Sequence, residues 1–245
     1  MTIPPKSAWH TDSFAKRQGE LRSPELRTLY PSQAWSMYRT IPHGETLLDL
    51  GFGSAESLIV VRKINNRIRY LGVDFVRSIV ESAKHLEDPQ TKFVEADFLQ
   101  WQTDQTFDIV QGWSFVYAFD CPYDVMRKMY ALTRRHCLFD LRATHMKDDV
   151  IDLTRAYGLH DGVKVNYPLL SWHRFQAFVE ALRPIPESVE FSCYYYPPGP
   201  AVHLNPALPQ PFVVSVVINK SLDGAAKQIC WNGKLISPID QRANA

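Results

Sequence analysis

Long hydrophobic runs are missing from this chain. Nowhere in its 245 residues do 18 apolar residues follow one another, the length a helix needs to cross a bilayer. The N-terminus, MTIPPKSAWHTDSF, also lacks the apolar core of an export signal. Cysteine is scarce, and Cys121, Cys137, Cys193 and Cys230 stand without any paired spacing. That suits a reducing cytoplasm better than a disulfide scaffold or a zinc site. The eight histidines show no metal-ligand spacing either, so no metal is expected. An excess of charge of one sign is missing too: a net charge of +1 gives no field to attract nucleic acid. Arg62, Lys63, Arg67 and Arg69 form a local basic cluster that reads as a solvated helix end. What remains is a soluble, cytoplasmic, enzyme-sized domain, 45% hydrophobic and 22% charged, with enough apolar residues for a full core.

The most informative stretch is Thr46 to Ser57, TLLDLGFGSAES. Leu47, Leu48 and Leu50 make a short apolar run broken by Asp49, which predicts a buried strand. Gly51-Phe52-Gly53 then predicts a tight turn, and Ser54 the N-cap of a helix carrying Ala55, Leu58, Ile59 and Ile64. Strand, glycine turn and helix N-terminus form a cradle for a nucleotide-like ligand: small residues let backbone N–H groups approach, and the helix end adds positive partial charge.

Upstream, residues 1–45 are expected to form a helical appendage, one helix from Thr11 to Leu21 and a second capped by Ser32 with Trp35, Tyr38 and Ile41 on one face. Downstream, strands and helices alternate. Tyr70 to Asp74, Lys92 to Asp97, Phe107 to Gln111 and His136 to Leu141 read as strands, with helical spacing over Val76 to Leu86 and Val125 to Leu132 between them. This rhythm predicts a parallel sheet covered on both faces, with ligands at the C-terminal strand ends near the reversal of strand order. Asp74 and Asp97 both fall on that edge.

Asp74 follows Gly51 by 23 residues, near the spacing of an acid that binds ribose hydroxyls. Alone, that would fit an NAD-dependent oxidoreductase. Glu56, however, occupies the third glycine of a dinucleotide fingerprint, and neither Asp49 nor Asp97 belongs to it. The motifs LLDLGFGSAES, GVDF, VEADFLQW and FDIVQGWSFVYAFD, in this order over residues 46–142, resemble those of class I S-adenosylmethionine-dependent methyltransferases. Ala55 stands where that family carries its third turn glycine.

The resemblance implies a Rossmann-like three-layer α/β sandwich over residues 46–220, with a mostly parallel seven-stranded sheet whose last strand is antiparallel. It implies S-adenosylmethionine as cofactor and methyl transfer to a small-molecule acceptor. Gly51 and Gly53 would approach the methionine portion, Asp49 would orient its amino group, and Gln111 and Gly112 would close that side. Asp74 would accept the ribose hydroxyls, and Asp97 with Phe98 would contact adenine. Helix caps or turns are the other tasks open to Asp74 and Asp97, and Asp49 could be a buried structural acid. A non-catalytic module that retains the fold is a further alternative.

The acceptor is expected beside the same edge. Trp113 and Tyr117, in the aromatic loop after the fourth strand, are candidate wall residues, with core packing as the alternative. His145 is the candidate base in the loop after the fifth strand. Further on, Val150 to Tyr157 has helical spacing, Leu159 to Leu170 reads as an insertion, and Ser171 caps a helix ending before Pro184. Glu190 to Tyr196 and Phe212 to Asn219 read as closing strands. Between them YYYPPGPAVHLNPALPQP holds six of the 17 prolines, and Tyr194, Tyr196 and His203 are expected to approach the acceptor. Residues 221–245 read as a tail with a hairpin turn at Trp231-Asn232-Gly233.

Overall fold

The computed structural model describes residues 30–195, 199–221, 226 and 228–235. The expected Thr11–Leu21 helix and Tyr196 lie outside these residues. Helix α1 (Pro31–Thr40) leads through a short 3-10 turn into β1 (Thr46–Leu50), followed by α2 (Glu56–Ile64), β2 (Arg69–Asp74), α3 (Arg77–Ala83) and β3 (Thr91–Glu95). Next come β4 (Phe107–Gly112), α4 (Pro122–Leu132) and the long β5 (Thr133–Thr144). The last part of the chain gives β6 (Ala156–His160), β7 (Val163–Asn166), β8 (Leu170–Ser171) and α5 (Trp172–Glu180). It ends with β9 (Pro186–Tyr195), β10 (Val202–Leu204), β11 (Phe212–Lys220) and β12 (Cys230–Leu235).

The seven expected strands lie in the order β9-β11-β5-β4-β1-β2-β3, and β11 runs antiparallel to both neighbours. Two further strands extend this sheet to nine: β12 beside β9, and the two-residue β8 on the end of β5. Strand order reverses between β1 and β4, as a doubly wound sheet requires.

Alternate residues feed opposite faces. Leu47, Ile109, Leu138 and Val217 join one apolar layer with Met37, Val61 and Ile79, while Leu48, Leu50, Val110 and Phe139 join the other with Met126, Met129 and Phe175. A period of two, apolar on both sides, is what a central strand between two helical layers demands. Leu47, Leu48 and Leu50 are fully buried, each worth about 1.5–3 kcal/mol. Among the described residues no helix is long and apolar enough to cross a membrane.

Several local expectations need correction. Residues 150–157 are not helical. Val150 bridges to Leu169, and Asp152 folds the next residues into a turn by accepting the Thr154 N–H at 2.8 Å and the Ala156 N–H at its carbonyl. These local bonds override the apolar spacing. The expected insertion is a hairpin, β6–β7, turned at Asp161 and Gly162, both with positive φ. β10 joins it, giving a separate three-stranded sheet. Helix α1 starts at Pro31, so Ser32 lies inside it and is held instead by the Ser215 hydroxyl. Trp231-Asn232-Gly233 is no turn but the middle of β12. A Cβ on Gly233 would meet the Phe191 ring at 2.2 Å, so this glycine admits a covering ring.

Candidate active site

The turn after β1 is left-handed at alternate residues: Gly51 (φ 64), Gly53 (φ 56) and Ala55 (φ 57). Backbone that alternates in hand directs successive N–H groups into one concavity. Because the chain is still left-handed at Ala55, α2 begins only at Glu56, and Ser54 is not its side-chain cap as expected. Two contacts tie the turn to β2: the Gly51 N–H donates to the Val73 carbonyl at 2.8 Å, and the Gly53 N–H to the Asp74 carboxylate at 3.4 Å. The other Asp74 oxygen accepts the Val76 N–H at 2.9 Å. Asp74 is thus fixed against the glycine turn, at the C-terminal end of β2.

Asp49 is buried beneath the turn. It accepts the hydroxyl protons of Ser57 and Tyr70, the latter at 2.5 Å. Burial pushes its carboxyl from 3.8 up to about 6; Ser57, Tyr70 and then Gln111 oppose the rise, and neighbouring Asp74 adds to it. The Gln111 amide has no hydrogen-bond partner of full geometry on either its nitrogen or its oxygen among the described residues. Ser54 Oγ and Trp113 Nε1 are likewise buried and unpartnered. Buried polar atoms are normally paired. Three such side chains around one glycine turn, at the strand reversal, match a polar ligand seated there.

Asp97 follows β3, and the Ala96 N–H donates to the Asp74 carbonyl at 2.9 Å, bringing the two acids to adjacent strand ends. Phe98 does not line this edge. It is 3% exposed, edge-on to Phe115 at 5.6 Å and under the Lys128 ammonium at 5.0 Å, so its ring belongs to the core. Gly112 also serves packing: a Cβ there would meet Phe115 and Met129 at 3.1 Å. The same Phe115 ring would lie 2.7 Å from a Cβ on Gly51. Phe115 is therefore wedged between the first turn glycine and the end of β4, a role its place in an aromatic-rich loop does not reveal.

On the other side of β4 lies a cavity of roughly 220 Å³, between the ends of β5, β9 and β11 and the small sheet. Tyr117 and Tyr194 line it. So does Tyr30, which precedes α1 and meets the Tyr194 ring at 6.2 Å. Sequence reasoning missed the polar centre of this cavity, Asp140 and Arg142. The guanidinium donates to Asp140 at 2.7 Å and lies 4.1 Å over the Tyr117 ring. Burial acts against its charge, but Asp140, with Tyr117 and Tyr167, holds it above even its usual value. Asp140 also accepts the N–H of Ser114, a non-glycine residue held at φ 55. The available signal was a pair of charged residues, spaced by two, in the otherwise apolar stretch from Cys137 to Ala143. It was obscured by ending that strand at Leu141, three residues early.

His145 and His203 are not brought to this cavity. His145 is exposed and packs on Phe212 at 4.9 Å, while His203 is exposed on β10 and stacks on Tyr157 at 4.8 Å. Trp113, just after β4, packs against the apolar layer that holds Leu47, Phe52 and Ala55, and it does not line this cavity. Among the described residues no His, Cys, Asp or Glu cluster could hold a metal ion.

A family model described as "Methyltransferase domain" matches residues 47–137, the segment from β1 into β5. No curated protein matches the chain. Among solved structures, the chain is similar to the N-terminal domain of EvdMO1 with SAH bound (TM-score 0.57, 15% identity, covering 83% of this chain and 84% of that one). It is also similar to the plantazolicin methyltransferase BpumL in complex with a monoazolic desmethylPZN analog and SAH (TM-score 0.56, 12% identity, 89% and 95% covered). A third is the DhpI–SAH complex (TM-score 0.50, 14% identity, 90% and 99% covered). Domain match, fold and turn geometry agree: residues 47–137 are similar to a methyltransferase domain, within a sheet of the same fold as these structures. All three of these structures hold SAH.

Proposed function

We propose that the enzyme methylates a small organic acceptor held in the cavity between β5, β9, β11 and the small sheet, with the cofactor laid along the glycine turn. The observation that carries this reading is the set of unpartnered buried polar atoms on Ser54, Gln111 and Trp113 around a turn left-handed at alternate residues. In this reading Gly51 and Gly53 approach the methionine portion, and Asp49 and Gln111 orient its amino group. Asp74 accepts the ribose hydroxyls and Asp97 the adenine amine. Gly112 and Phe98 support these residues by packing against Phe115, and neither is assigned a contact with the cofactor. The methionine portion bears a cation, so Asp49, whose charge is disfavoured by burial, gains an opposite charge on binding.

The bound cofactor supplies an activated methyl on a sulfonium. The chain therefore has to align the acceptor and exclude water, and alignment alone contributes roughly 7–11 kcal/mol to lowering a barrier. The loop 113–119 suits that task, since Phe115 touches the glycine turn and Tyr117 faces Arg142 in the cavity. The bound analogue named for BpumL supports a small natural product as the acceptor class. No base is assigned: exposed His145 has no place in the reading. Residues 46–220 act as the methyltransferase unit, with Tyr30 of the preceding segment closing the cavity wall. Four free cysteines support a reducing, cytoplasmic setting. Calorimetric titration of the wild type and Asp74→Ala with S-adenosylmethionine tests the reading. Saturable binding, lost in the variant, is expected; equal binding by both would refute the site.

A further inference from the structure

The acceptor cavity, which takes its role from the reading above, has a chemical character of its own. Its one buried cation, Arg142, is already matched by Asp140 at 2.7 Å, with both side chains largely out of solvent. His160 is the remaining ionisable group on the wall apart from the tyrosine phenols. Apart from His160, the cavity therefore offers no permanent surplus positive charge for a carboxylate or phosphate, whose desolvation would go largely uncompensated. What it offers instead is donors. Arg142 Nε and Asn166 Nδ2 are buried without hydrogen-bond partners among the described residues, and Asn166 is 6% exposed overall. Both residues line the cavity. Each donor is a group that burial penalises until an oxygen arrives.

The rest of the wall is aromatic. Tyr30, Tyr117, Tyr167 and Tyr194 line it, and the Tyr117 and Tyr167 rings lie 6.2 Å apart beside the guanidinium. Ring faces of this kind receive flat ligands. The volume, roughly 220 Å³, is below the range of about 300–1,000 Å³ for drug-sized sites, which limits the occupant to about one ring.

We infer that the acceptor is an uncharged, planar, single-ring molecule bearing a carbonyl-type oxygen, which Arg142 Nε and Asn166 Nδ2 recognise together. Neither residue is assigned a part in moving the methyl group; they fix which molecule presents its nucleophile. The inference differs from a general small-molecule pocket in the sign and number of its polar contacts: two donors and no net charge.

Three probes of matched size test it on the full chain saturated with SAH. These are para-hydroxyacetophenone (a neutral carbonyl), para-hydroxybenzoate (a carboxylate) and para-ethylphenol (no acceptor oxygen at that end). The neutral ketone is expected to bind about tenfold more tightly than either of the others, the effect of one well-made hydrogen bond in a buried site. Asn166→Leu, of nearly equal volume, should remove most of that preference while leaving ethylphenol and SAH affinities unchanged. A carboxylate that binds most tightly would overturn the neutral class, and equal ketone and ethylphenol affinities would overturn the role of the donors. If SAH binds but none of the probes does, the single-ring assignment is wrong. Failure of SAH itself to bind would overturn the cofactor reading beneath it. The wild-type ranking decides the matter even if Asn166→Leu does not fold.

Discussion

The two halves of the sheet edge are built from different materials. On the β1–β3 side the site is mostly backbone: a glycine turn, its N–H groups, and two acids at the ends of adjacent strands. On the β5–β9–β11 side it is mostly side chains, brought from Tyr30 before the first helix, the loop after β4, β5, the β6–β7 hairpin and β9. A backbone site is set by local sequence and can be shared by enzymes with many acceptors. A side-chain site assembled over long range specifies one ligand. On the proposed reading, the first half carries the common chemistry and the second the selectivity.

Substitutions can break or sharpen that contrast. The largest expected effect is in the acceptor half. Arg142→Met leaves Asp140 buried with no cation and should cost about 3–5 kcal/mol by denaturant titration. The folded fraction should still bind SAH at wild-type affinity, because no cofactor residue has changed. Gly51→Ala does the reverse. It places a methyl 2.7 Å from Phe115 on a residue with φ 64, for about 2–3 kcal/mol of lost stability, and should weaken cofactor binding as the turn shifts.

Asp49 gives a pH-dependent version of the same test. Its folded-state carboxyl titrates near 6 and its unfolded one near 3.8, so the folded chain holds the proton more tightly between those values. Stability without cofactor should therefore fall as pH rises from 4 to 6, by up to about 3 kcal/mol, and stay level above. Asp49→Asn should flatten that slope and raise the melting temperature at neutral pH, while weakening S-adenosylmethionine binding. A steep slope that survives in the variant would place its origin elsewhere. Smallest is Ala55→Gly, which relieves a left-handed alanine but removes a buried methyl. The two effects are each about 1 kcal/mol and opposed, so the net change should lie within about 1 kcal/mol.

The same contrast explains what was legible in the sequence. β1 to β5, the glycine turn and the positions of Asp49, Asp74 and Asp97 could be read because each depends on neighbours within about 20 residues. Phe98 shows the limit: its place beside Asp97 was readable, but not that Phe115 and Lys128 from later in the chain draw its ring into the core. Asp140 and Arg142 were passed over because their meaning depends on Tyr117, Tyr167 and Ser114, partners that only folding supplies. The segment after Val150 was misread for a related reason. Its apolar spacing is helical, yet Asp152 and the distant Leu169 claim its backbone hydrogen bonds. His203 was placed by its proline-rich loop, and the pairing of β10 with β6 carried it to an outer face.

The division into a backbone-built cofactor half and a side-chain-built acceptor half is tested most directly by SAH affinity measured side by side on Asp74→Asn and Asn166→Leu. Asparagine at position 74 keeps an oxygen for the Val76 N–H but loses the charge that would face two ribose hydroxyls. We expect SAH binding to fall by about 100-fold in Asp74→Asn, the equivalent of about 3 kcal/mol of charge-assisted hydrogen bonding, and to stay at the wild-type value in Asn166→Leu. A large loss in Asn166→Leu with Asp74→Asn unaffected would contradict the account.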